Sequence, residues 1–123
     1  MATITEDYVS FEVARLLEEK GFDEQTRFCF RGDGKILHND GSYVGYPGYY
    51  PRPTLQMARK WLRKEHKLHI WVDYSSLDFN DELPYLWNIR ETKIEGAYWG
   101  GTYHKSCEEA EEAGIKYCLE NLI

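Results

Sequence analysis

The chain has 123 residues with ten Tyr and four Trp, enough apolar mass for one core without staples and too much for a disordered polymer. A net charge of −6 argues against general polyanion binding, because nucleic-acid affinity rests on neutralising phosphates. Three cysteines without a CxxC pair fit a reducing compartment rather than a disulfide framework. No stretch approaches the roughly 20 apolar residues of a membrane span, and the opening MATITEDY lacks the basic and apolar regions of a signal peptide, so the expected location is the cytoplasm.

The first predicted helix runs from Thr5 to Lys20. Thr5 is its expected cap, and Glu6 and Asp7 suit the positive end of the helix dipole. Val9, Val13, Leu16 and Leu17 share one face, Glu12, Arg15 and Glu19 the other, and Gly21 is placed to end the helix. Thr26 to Arg31 alternates as a half-buried strand, with Phe28 and Phe30 on one side and Cys29 on the other. Gly32-Asp33-Gly34 is a turn, and Lys35 to His38 is the return strand of a hairpin. The Arg31-Gly32-Asp33 tripeptide is read as that turn, not as an integrin ligand.

Asn39 to Pro53 carries three prolines and four tyrosines and is expected to be a loop, since proline and glycine exclude a helix or a central strand. The second helix starts after Pro53 with Thr54 as cap and ends near His66. Leu55, Met57, Ala58, Trp61 and Leu62 fill one half of its wheel; Arg59, Lys60, Arg63 and Lys64 fill the other. Leu68 to Tyr74 follows as a strand with large side chains on both faces, which predicts a central or doubly covered strand. Ser75 to Leu83 is a polar turn. Tyr85 to Glu91 and Ile94 to Trp99 are strands, and Gly100-Gly101 is expected to break the chain. Ser106 with Glu109 predicts a capped last helix through Leu122, with Cys107, Ala110, Gly114, Tyr117 and Cys118 as a stripe. The expected fold is α+β, one domain over residues 1–123 in the order α-β-β-α-β-β-β-α, with a mostly antiparallel sheet and helices on one face.

Chemistry-bearing sets are sparse. His66 and His69 straddle a turn, so a metal would need a third ligand such as Asp73, and no zinc spacing is present. Neither a metal nor a cofactor is expected. Cys107 opens a helix, where the dipole lowers a thiol pKa, and His104 is the one nearby base; this is the sole basis for a thiol-dependent enzyme. Cys107 and Cys118, on one helix, are separated by about 16 Å and cannot be bridged.

Charge is distributed unevenly. Residues 51–67 hold six positive side chains and one negative; the remainder holds nine against twenty. The reading that follows is a non-enzymatic module that binds a protein or a second copy of itself. Its expected contacts are Tyr46, Tyr49, Tyr50, Arg52, Arg59, Lys60, Arg63 and Lys64. The second reading is a nucleic-acid backbone on the same helix, with aromatics available to stack.

Three segments, SFEVARLLEEKGFDE, PTLQMARKWLRKEHKLHIWV and CEEAEEAGIKYCLENLI, resemble a family of small proteins of gut Bacteroidetes, their phages and mobile elements. The resemblance covers most of the chain. It implies a cytoplasmic accessory protein, of the kind a prophage carries, and transfers no catalytic residue. Family members are expected to open the last helix with an aromatic residue where this chain has Cys107.

Overall fold

In the computed structural model, which describes residues 6–39, 46–75 and 82–123, the elements follow in the order α1 (Phe11–Glu19), β1 (Phe28–Arg31), β2 (Ile36–His38), β3 (Tyr49–Arg52), α2 (Leu55–His66), β4 (Leu68–Tyr74), β5 (Tyr85–Glu91), β6 (Tyr98–His104) and α3 (Cys107–Tyr117), closing in a π-helical turn at Cys118–Leu122. The α+β class holds. The predicted order lacked β3, and the strands form two three-stranded antiparallel sheets, not one. The chain divides into two compact units, Met1–Ala58 and Arg59–Ile123, with the boundary inside α2.

In the first unit, α1 begins later than the sequence implies. Ser10 is the cap, its hydroxyl accepting from the Val13 amide; Thr5 lies outside the described residues. Glu6 and Asp7 precede the helix instead of lining its first turn. The segment before Ser10 is extended because the chain offers it backbone partners: Val9 N donates to the Pro53 carbonyl at 3.1 Å, and the Leu55 amide donates to the Asp7 carbonyl at 2.9 Å. A helix starting at Thr5 would forgo both bonds. Val9 is still buried, with Val13, Ala14 and Leu17, each large apolar side chain contributing about 1.5–3 kcal/mol. Gly21 ends the helix at φ +92°, the left-handed conformation that a residue with a Cβ resists.

β1 is the centre of the first sheet, in the order β2-β1-β3. The predicted hairpin has the register Phe28–His38, Cys29–Leu37 and Phe30–Ile36. β3 was hidden by its composition, YYPR. Pro51 cannot donate to a ladder, but at the edge of the sheet, opposite Cys29, it does not have to.

In the second unit, β4, β5 and β6 form an antiparallel meander. α2 runs into it through Lys67, whose φ of 58° ends the helix in the role glycine usually takes. On α2, Leu55, Ala58, Trp61 and Leu62 are buried as expected, but Met57 is exposed. β4 lies at an edge of its sheet and not at the centre, which leaves the doubly covered alternative of the two expected. Leu68 and Ile70 are buried, together with Trp87 and Ile89 from β5, and α3 packs on this face. Ser106 caps α3, its hydroxyl accepting from Glu109 N at 3.1 Å.

β6 starts at Tyr98, not at Ile94, and Gly100-Gly101 lies within it instead of breaking the chain. The pairing shows why. A bulge falls between Leu86 and Asn88, and a Cβ on Gly101 would stand 2.0 Å from the Trp87 ring. The glycine lets the indole lie flat against the strand backbone.

Candidate functional site

The eight residues expected to form a contact surface fall in both units. Tyr46 is 61% exposed, in the turn before β3. Tyr49 and Tyr50 are half-buried within β3, and the Tyr50 ring meets Phe11 edge-on at 5.7 Å. Both tyrosines line a cavity of about 200 Å³, with Glu18, Asp23, Glu24 and Cys29 among its other walls. Burial raises the pKa of Glu18 and of the Cys29 thiol.

Arg52 is held within the first unit. Its guanidinium carbon lies 4.2 Å from the centre of the Tyr8 ring, 5.6 Å from Phe30 and 5.7 Å from Phe28. Its Nε is buried without a hydrogen-bond partner among the described residues. Three ring faces supply the attraction that hydrogen bonds would otherwise provide, each such contact being worth about 0.5–2 kcal/mol.

In the second unit the basic face of α2 is differentiated. Arg59 is half-buried, 3.9 Å from the Glu111 carboxylate of α3. Lys60, Arg63 and Lys64 are exposed, and none forms an ion pair among the described residues. They are held side by side by the helix period, three and four residues apart.

Glu111 also accepts from the Cys107 thiol at 3.5 Å. Burial and the carboxylates of Glu111 and Glu108 push that thiol up to about 11. The dipole argument from sequence is therefore reversed: Cys107 is held as the neutral thiol, which is a poor nucleophile. His66 packs against Trp61 at 4.7 Å and His69 against Trp71 at 5.7 Å. Among the described residues no three His, Cys, Asp or Glu side chains gather to hold a metal. Residues 76–81 of the expected polar turn lie outside the described residues.

One cluster was not anticipated as a site. On the face of β4-β5-β6 turned away from α3, His69, Trp71 and Asp73 stand opposite Arg90, Asn88 and Leu86, with Tyr98 and Gly100 on β6. Asn88 is 2% exposed. It donates from Nδ2 to Asp73 at 3.0 Å and to the Leu86 carbonyl at 3.4 Å, and it accepts from the Tyr98 hydroxyl. The alternation in LHIWVDY signalled two occupied faces; it did not signal that the second is covered by rings of its own strand and of β6.

Comparison with protein-family models, with curated proteins and with solved structures found no match.

Proposed function

We propose that the chain is a non-enzymatic binding module that docks an acidic protein surface, a second copy of itself included, through Lys60, Arg63 and Lys64 on α2. The observation that supports this reading is the exposure of three adjacent cations without an ion pair among the described residues, in a chain whose remaining charge is strongly negative. Such a patch steers and orients an acidic partner. The position of Cys107, half-buried and next to carboxylates, favours binding over thiol chemistry. A role as a cytoplasmic accessory protein of a mobile element is consistent with this reading.

The test is light scattering and affinity capture of the intact chain at low and high salt, beside the triple variant Lys60→Glu, Arg63→Glu, Lys64→Glu. Association or capture at low salt, lost in the triple variant, is the expected result. A strict monomer that retains no acidic partner would refute the proposal.

The second reading, a nucleic-acid backbone on the same three residues, is favoured by that same exposure. It predicts binding of single- or double-stranded oligonucleotides at low salt, with a log–log salt slope of about −2.7 for duplex and about −2.1 for single strands at three phosphate contacts. Absence of binding at low salt would remove it.

A further inference from the structure

We propose that the face of β4-β5-β6 turned away from α3 is a platform for a neutral sugar ring, independent of the basic face of α2. The face is held rigid. Tyr98 is 53% exposed, yet its hydroxyl is tied to Asn88, a side chain withdrawn from solvent. All three of the hydrogen bonds found at the Asn88 amide serve this arrangement, to Tyr98, Asp73 and the Leu86 carbonyl. The Tyr98 ring lies over Gly100, opposite Asn88, where a Cβ would meet its hydroxyl in ordinary van der Waals contact at 3.5 Å. An exposed tyrosine has no need of such an anchor to stay soluble. An anchor does lower the ordering cost when the ring is used as a contact surface.

The rings and charges of this face suit a neutral ligand. Trp71 lies 6.0 Å from Tyr98, the two planes inclined at 42°, and is stacked with His69 at 5.7 Å. Amphipathic rings of this kind offer apolar area with polar rims. Asp73 and Arg90 are the two formal charges at these facing positions, and they cancel. A polyanion requires net positive charge, and a charged peptide requires a complementary excess; this face has neither. A pyranose fits it, with C–H groups on one side for the rings and hydroxyls at the edge for the Asp73 carboxylate and the Arg90 guanidinium.

The experiment is an amide NMR titration of the full chain with neutral hexasaccharides of glucose (α- and β-linked), xylose, mannose and N-acetylglucosamine, with a single-stranded oligonucleotide as a separate arm. Expected are salt-insensitive shifts at residues 69–73, 88–90 and 98–100 with at least one sugar. Affinity should fall about tenfold or more in Trp71→Ala, as for an aromatic anchor, and by a smaller factor in Tyr98→Phe, which keeps the ring and removes its tether. Amide spectra report whether each variant is folded; Asp73→Ala, at an exposed position, is the second variant if Trp71→Ala is not. No shift at these residues with any of the five sugars at millimolar concentration would overturn the proposal. So would a sugar affinity unchanged in the folded variants, or an oligonucleotide that binds this face where no sugar does.

Discussion

Asp33 is held by its immediate neighbours in the turn. Arg31 donates to it from Nε at 3.1 Å, and the Lys35 amide donates to the same carboxylate. With the Arg31 hydrogen bond as the largest cause, its pKa falls from 3.8 to about 2. A carboxyl with a depressed folded-state pKa adds stability above its unfolded pKa and loses it as pH falls through the folded value. The window here is pH 3.8 to about 2, and full exposure keeps the effect small. Side-chain NMR should give a midpoint of about 2 for Asp33 and a return to the ordinary carboxylate range in Arg31→Ala; an unchanged midpoint would show that the pair does not persist in solution. The same pair uses two of the three residues of the Arg-Gly-Asp tripeptide within the turn itself.

The thiols support a second prediction. Cys107 is pushed up to about 11 by burial and two carboxylates, and Cys118 to about 12 by burial alone. Alkylation by iodoacetamide at neutral pH should be far slower at both than at an unstructured thiol, because the thiolate is the reacting form. Glu111→Gln should speed Cys107 and leave Cys118 unchanged. A Cys107 that reacts faster than the other cysteines would restore the enzyme reading.

Among the elements, the glycines of β6 and α3 are the informative ones. A Cβ at Gly101 would stand within the Trp87 ring's van der Waals surface, whereas one at Gly114 would approach the Ile70 Cγ2 at 3.0 Å and the Trp87 Cβ at 3.4 Å. Overpacking of this kind costs about 1–3 kcal/mol. At Gly114 the gain in helix propensity, about 1 kcal/mol, offsets part of it. Urea denaturation should therefore rank Gly101→Ala as clearly destabilising and Gly114→Ala as nearer neutral. Equal midpoints for the two variants would contradict the close packing of Trp87 on β6. β3 carries the complementary lesson. Proline excludes a central strand but not an edge one, and Pro51 takes the edge position.

For the molecule as a whole, charge is the governing quantity. A pI near 5.2 leaves the chain with net negative charge at neutral pH, while residues 51–67 oppose the prevailing sign. Attraction between unlike surfaces is screened over about 10 Å at 0.1 M salt. Association through α2 should therefore weaken steeply as salt rises, whereas binding at the face of β4-β5-β6 should not, and this contrast separates the two surfaces in one experiment.

Much of this was legible in the linear chain. The bounds of α2, β4 and β5, the β1–β2 hairpin and the Ser106 cap follow from periodicity, turn residues and capping, which act over three or four neighbours. The start of α1 is not legible locally, because its competitor is a backbone bond to Pro53, 44 residues away in sequence from Val9. β3 and the true extent of β6 depend on partners that local patterns do not name: Cys29 opposite Pro51, and Trp87 against Gly101. The Tyr98–Asn88–Asp73 network joins three strands. Propensity is a property of neighbours along the chain; strand pairing, and the sites it builds, come from contacts between residues that only folding brings together.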